Sequence, residues 1–118
     1  MLITINPEAE IANLWQRNDR KFERNEQKLI HDMISKLDNG DIRACEKQGE
    51  IWQVNEWVKK VILLYIATQP KHHINGGDIN WYDKIEPKFA ANFDFDSYTA
   101  RIIPGTFIRR GAYIADNV

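Results

Sequence analysis

Cysteine is almost missing from this sequence. Cys45 is the single one, so no disulfide can form within the chain, and such sparse usage suits a reducing compartment. An excess of one charge is missing too: 16 Lys and Arg stand against 17 Asp and Glu, a formal net charge of −1. A sequence-wide attraction to nucleic acid or anionic lipid needs a basic surplus. The longest apolar run, Val61 to Ala67, falls far short of the ~20 residues that span a bilayer as a helix. The opening stretch MLITINPEAE lacks the basic-then-apolar order of a secretory signal. There is no low-complexity stretch, no complete internal repeat and no flexible linker. The expectation is a cytoplasmic protein with no membrane or nucleic-acid partner.

What is present is ordinary globular material. The chain has 118 residues, 43% hydrophobic and 28% charged, which suits one domain with a real core. Asn6-Pro7-Glu8 reads as a helix start: the Asn side chain can cap free N–H groups, and proline is at ease in the first turn. Ile11, Leu14 and Trp15 then share one face. The charged stretch from Arg17 to Glu26 is a solvated helix face or a turn between helices. Leu29, Ile30, Met33, Ile34 and Leu37 follow the spacing of a second amphipathic helix, and Asn39-Gly40 ends it. Ile42–Glu46 and Ile51–Val54 flank Lys47-Gln48-Gly49-Glu50 and predict a hairpin. A third helix is expected from about Asn55 to Thr68, apolar on nearly all sides and therefore central; a strand over Val61–Ala67 is the competing reading. Pro70–Asn80 reads as a loop and Trp81–Phe89 as extended. A short helical turn over Phe93–Thr99, capped by Asp94 or Asp96, precedes a short strand at Arg101–Ile103.

Few residues suggest chemistry by themselves. His72-His73 points two rings in divergent directions and has no Cys or third His at ligand spacing, so the residues argue against a metal. Cys45 has no Cys-x-x-Cys partner and reads as a small half-buried strand residue. His31 falls on the flank of the second helix and reads as a surface residue rather than a base. Gly76-Gly77 lacks the Lys-Ser/Thr of a phosphate loop. Lys59-Lys60 beside Trp57 reads as lysines lying along a core helix, with a nucleic-acid contact as the sharper alternative. The four tryptophans read as core.

The C-terminal stretch RIIPGTFIRRGAYIADNV is different. Ile108 and Ile114 sit six residues apart with Gly111 between them, a period that belongs to neither a helix nor an ordinary strand. Arg101, Arg109 and Arg110 cluster in the same stretch. Guanidinium forks grip carboxylates bidentately, so such a cluster can hold a diacid; surface ion pairing is the bland alternative.

Four segments in series, LDNGDIRACEK, NEWVKKVILLYI, YDKIEPKF and RIIPGTFIRRGAYIADNV, resemble the N-terminal part of bacterial tetrahydrodipicolinate N-succinyltransferases. The likeness covers roughly residues 37–118. The chain departs from the family pattern at Cys45, at Val61 and at Gly105, where a second proline is common. The resemblance implies an α+β N-terminal domain over residues 1–104, of about three helices with a β-hairpin. Residues 105–118 would begin a left-handed parallel β-helix of hexapeptide repeats, truncated here. It further implies lysine and diaminopimelate biosynthesis, with succinyl transfer from succinyl-CoA to the amino group of ring-opened tetrahydrodipicolinate. The expected enzyme is a cytoplasmic homotrimer with no metal and no cofactor beyond the co-substrate succinyl-CoA. The arginine of the family's R-V-V-P segment, which contacts the dicarboxylate, falls on Arg101. The family's general base and CoA-binding groups lie in the β-helix, so no catalytic residue is assigned; Asp83 and Glu86 are not put forward for that role.

On this reading the chain alone lacks acyltransferase activity, whether it is an excised piece, a proteolytic product or a truncated gene product. Two rival readings are a stand-alone interaction module that reuses the domain, and a nucleic-acid-binding domain built on Lys59, Lys60 and the arginines.

Overall fold

A computed structural model of the protein describes residues 6–90 and 92–118. Helix α1 spans Pro7–Trp15, α2 Arg24–Asp38 and α3 Glu56–Thr68; two antiparallel hairpins, β1 Cys45–Gln48 with β2 Ile51–Val54 and β3 His72–Asn75 with β4 Asn80–Asp83, complete the regular elements together with a 3₁₀ turn at Phe95–Ser97. No helix among the described residues is long and apolar enough to cross a membrane.

The helix ends follow the sequence closely. The Asn6 side chain accepts from the Ala9 N–H at 3.3 Å, with Pro7 in the first turn. The start of α2 is held by the Glu23 N–H donating to Glu26 Oε1 at 2.8 Å, and that carboxylate also receives Arg17. The charged stretch is therefore the α1–α2 turn, folded around the buried Phe22 with the Arg17 guanidinium 5.0 Å from its ring centre. At the far end of α2, Gly40 takes φ +81°, the Gly40 N–H donates to Leu37 O and the Asp41 N–H to Lys36 O. That is the left-handed cap with both of its return bonds.

The three helices enclose one core. Ile11 and Leu14 of α1, Ile30, Met33, Ile34 and Leu37 of α2, and Val58, Val61, Leu64 and Tyr65 of α3 are buried, joined by Phe22 and Ile85. The central element is α3, which packs on both α1 and α2; it is a helix throughout, so the strand alternative for Val61–Ala67 is excluded. Its enclosure is not complete, because Leu63 is 51% exposed.

Several expectations need correction. The first hairpin begins three residues later than the sequence suggests. Ile42 and Ala44 pack against the helical core instead of entering the ladder, and the turn is the two-residue Gly49-Glu50 with Gly49 at φ +63°, the position where a II′ turn places glycine. Cys45 is exposed, not half-buried, because this hairpin stands clear of the helices and all eight of its residues are exposed. Pro70–Asn80 is not a plain loop: His72–Asn75 pairs in register with Asn80–Asp83. The histidine pair therefore lies on a strand, with His73 ring-to-ring against Tyr82 at 5.0 Å. Among the tryptophans, Trp15 and Trp57 pack on the core while Trp52 is 65% exposed.

Arg101–Ile103 forms no strand, and the start of a β-helix is not seen in residues 105–118. The only pairing there is a bridge between Pro87 and Arg109. A hexapeptide coil draws its strand pairs from coils stacked on it, and the described chain offers none. Ile102, Ile108 and Ile114 are nonetheless the half-buried members of their runs, with exposed residues on both sides of Ile102 and Ile114.

Candidate functional site

The three arginines of the tail have separate fates. Arg109 donates through Nη2 to Asp83 Oδ2 at 2.7 Å, tying the tail to the end of β4. The Asp83 carboxyl is held below its ordinary value, first by the Lys84 backbone N–H, which outweighs the opposing effect of burial, and then by the charge and hydrogen bond of Arg109.

Arg110 turns inward. Nη1 reaches Tyr65 Oη at 2.9 Å and Glu86 Oε1 at 3.4 Å, while Nη2 reaches Ser35 Oγ at 2.6 Å and the His31 carbonyl at 3.5 Å. Tyr65 also donates its hydroxyl to Glu86 Oε1 at 2.7 Å. His31 is half-buried and sets its ring edge-on to Tyr65 at 5.1 Å, so it is not the free surface residue that the helix flank suggested. Burial pushes the Tyr65 hydroxyl up, aided by its bond to Glu86 and opposed by Arg110; it stays a proton donor at neutral pH. Burial also pushes the Glu86 carboxyl up, but its own backbone N–H, Tyr65 and the Arg110 and His31 charges outweigh that, and it lies below its ordinary value.

A second clamp lies beside the first. Lys88 Nζ is almost fully buried and sits 2.9 Å from Asp38, whose Oδ1 also accepts the Gly111 N–H at 2.8 Å. The Lys88 N–H donates to Ile108 O and the Arg110 N–H to Glu86 O, so residues 86–88 and 108–110 run as a short antiparallel pair. Tyr113 is pressed between Gly40, where an added Cβ would lie 2.8 Å from the ring, and the Arg43 guanidinium, 4.9 Å from its centre.

Arg101 remains. It is exposed, and its guanidinium has no hydrogen-bond or ion-pair partner among the described residues. Only its backbone is engaged, the N–H donating to Val118 O at 2.8 Å. The cluster seen in the sequence thus resolves into two structural arginines and one free fork. The sequence reading missed the partners Ser35, Tyr65 and Glu86. A buried tyrosine on the apolar stripe of α3 was the one available signal, because a buried hydroxyl requires a partner. Among the described residues no group of three or more His, Cys, Asp or Glu side chains could hold a metal ion.

Comparison with known proteins bears on this arrangement. The family model described as "Tetrahydrodipicolinate N-succinyltransferase N-terminal" matches residues 6–68. The chain is similar to the 2,3,4,5-tetrahydropyridine-2,6-dicarboxylate N-succinyltransferase of Rickettsia felis, 43% identical over 117 residues, covering 92% of this chain and 43% of that protein. The protein of the same name from Rickettsia conorii is 45% identical over 118 residues, with the same coverage of both chains. That from Coxiella burnetii is 42% identical over 88 residues, or 75% of this chain and 32% of its own length. The chain therefore spans well under half the length of these relatives.

Proposed function

The chain belongs to the tetrahydrodipicolinate N-succinyltransferase family, and from that premise we propose that it is the N-terminal portion of an acyltransferase of lysine and diaminopimelate biosynthesis. The amine of ring-opened tetrahydrodipicolinate attacks the thioester carbon of succinyl-CoA. A C–N bond forms and the C–S bond breaks; a general base takes up the proton lost by the amine and returns it to the departing sulfur, so that coenzyme A leaves as a thiol. That base and the CoA contacts are assigned to the part of the relatives that this chain does not span. The reading includes a left-handed β-helix following residue 105, a homotrimer, a cytoplasmic setting, and no cofactor beyond the co-substrate.

Within this chain the assigned role is that of Arg101, as the fork that receives a carboxylate of the diacid. The observation that supports it is the contrast among the three arginines. Arg109 and Arg110 already spend their donors on Asp83, Glu86, Tyr65 and Ser35, whereas Arg101 is exposed and its guanidinium has no partner among the described residues. A free guanidinium offers a dicarboxylate two parallel charge-assisted hydrogen bonds. Nothing observed favours a stand-alone interaction module over this reading.

The test is release of coenzyme A thiol from succinyl-CoA in the presence of tetrahydrodipicolinate. The 118-residue chain gives no release, while the same residues joined to the remaining length of the Rickettsia felis relative do. In that joined enzyme R101A raises KM for the diacid by about 10–100-fold, the range expected for a lost charge-assisted pair, and leaves KM for succinyl-CoA unchanged. Turnover by the chain alone, or an unchanged diacid KM in R101A, would refute the respective assignment.

A further inference from the structure

We infer that Arg110 is the positioning residue for Arg101, holding in place the stretch of chain against which the backbone of Arg101 is paired. The inference rests on the reading of Arg101 as the carboxylate fork.

Consider what fixes Arg101. Its N–H donates to Val118 O at 2.8 Å. Two residues earlier, Thr99 Oγ1 donates to Asp116 Oδ1 at 3.3 Å and accepts the Asn117 N–H at 3.0 Å, and Tyr98 Oη donates to Ile114 O at 3.1 Å. Apart from the turn bond of Tyr98 to Phe95 and the packing of its ring on Phe89 and Phe93, residues 98–101 are thus referenced to residues 114–118. No hydrogen bond among the described residues joins them directly to a helix. Residues 114–118 follow Arg110 and Gly111 after only Ala112 and Tyr113, so the position of Arg101 is inherited from the place where the tail meets the domain.

At that place Arg110 does what no neighbour does. Its two terminal nitrogens diverge, Nη1 to Tyr65 on α3 and to Glu86, Nη2 to Ser35 and the His31 carbonyl on α2. It is the only tail side chain among the described residues that hydrogen-bonds to both helices. A planar fork can span two such directions at once, and a lysine ammonium on a single point cannot. The remaining pins are the Gly111 N–H on Asp38, the ring of Tyr113 between Gly40 and Arg43, the Arg109–Asp83 pair and the backbone bonds between residues 86–88 and 108–110. None of these is a hydrogen bond to α3, so without Arg110 the tail keeps its anchors on the α2 end and on residues 83–88 but loses its tie to α3. Small displacements of a substrate-positioning group are expensive, on the order of 100-fold for about 1 Å.

Two measurements test this together. Amide hydrogen exchange on the chain itself compares wild type with R110M, which keeps the length and apolar stem of the side chain. The expected result is faster exchange at the Arg101 and Asn117 amides in R110M, with the core amides of α2 and α3 unchanged. Unchanged protection at 101 and 117 overturns the proposal, as does a uniform rise across the core, which signals general destabilisation. In the joined enzyme, R110M raises the diacid KM by about 10-fold with the succinyl-CoA KM unchanged, R110K gives an intermediate value, and R110M adds nothing further in an R101A background. A purely structural role instead lowers the active fraction and leaves both KM values alone. An equal effect of R110M with and without Arg101 also overturns the coupling. If R101A by itself leaves the diacid KM unchanged, the role of Arg101 has failed, and the exchange data alone then decide whether Arg110 holds the segment.

Discussion

Glu86 shows how single residues set the behaviour of the tail interface. Its carboxylate receives Tyr65 at 2.7 Å and faces Arg110 at 3.4 Å, and its proton affinity is lowered in the fold relative to the ordinary value of 4.5 despite partial burial. A group whose folded pKa is depressed stabilises the fold above its unfolded value, and that contribution is lost as pH falls through the folded value. Urea unfolding is therefore expected to show E86Q less stable than wild type at neutral pH, with the gap closing as pH falls below the ordinary carboxylate value of 4.5. A gap that stays constant with pH contradicts the ion-pair account. The side chain is 43% exposed, so solvent screening keeps the effect small. At this scale the sequence was partly opaque. Arg101, Arg109 and Arg110 look equivalent in a list of residues, because what separates them is a carboxylate 24 or 26 positions away. Those separations carry no periodic signal.

At the scale of elements, the helices were legible and the hairpins only half so. Apolar spacing and capping residues are local, and α1, α2 and α3 formed where Asn6-Pro7, the Leu29–Leu37 stripe and Asn39-Gly40 place them. The second hairpin was hidden because His72-His73-Ile74-Asn75 holds one apolar residue and is followed by Gly-Gly-Asp; its strand character comes from pairing with Trp81 and Tyr82 across the turn. Phe22 and Ile85 joined the core from stretches dominated by charge. The helix-to-tail junction gives a test. Gly40 holds φ +81° and lies under the Tyr113 ring, so alanine there meets both a disfavoured backbone and an aromatic face. G40A is expected to lose about 1–2 kcal/mol from the left-handed conformation alone, and more if Tyr113 must lift, read as a lower urea midpoint. A G40A variant as stable as wild type overturns the packing described.

For the molecule as a whole, charge neutrality proves to be local as well as summed. Lys59 faces Glu56, Lys88 faces Asp38, Arg17 faces Glu26 and Arg109 faces Asp83, so these cations are met by carboxylates instead of being held for a phosphate backbone. No binding to single- or double-stranded oligonucleotides is expected near physiological salt; salt-sensitive binding with a steep slope would restore the nucleic-acid reading. The sequence by itself determined the α+β class, the three helices with their caps, most of the core and the family resemblance, since each rests on local pattern or on motifs in series. Tertiary structure alone decided which arginine is free, which tyrosine and carboxylate anchor the tail, and that Cys45 is exposed. It also decided how RIIPGTFIRRGAYIADNV is held: clamped to α2 and α3 through Arg110, Gly111 and Lys88. The physical reason is that hydrogen bonding and burial depend on neighbours distant in the chain, and only folding brings those neighbours within reach.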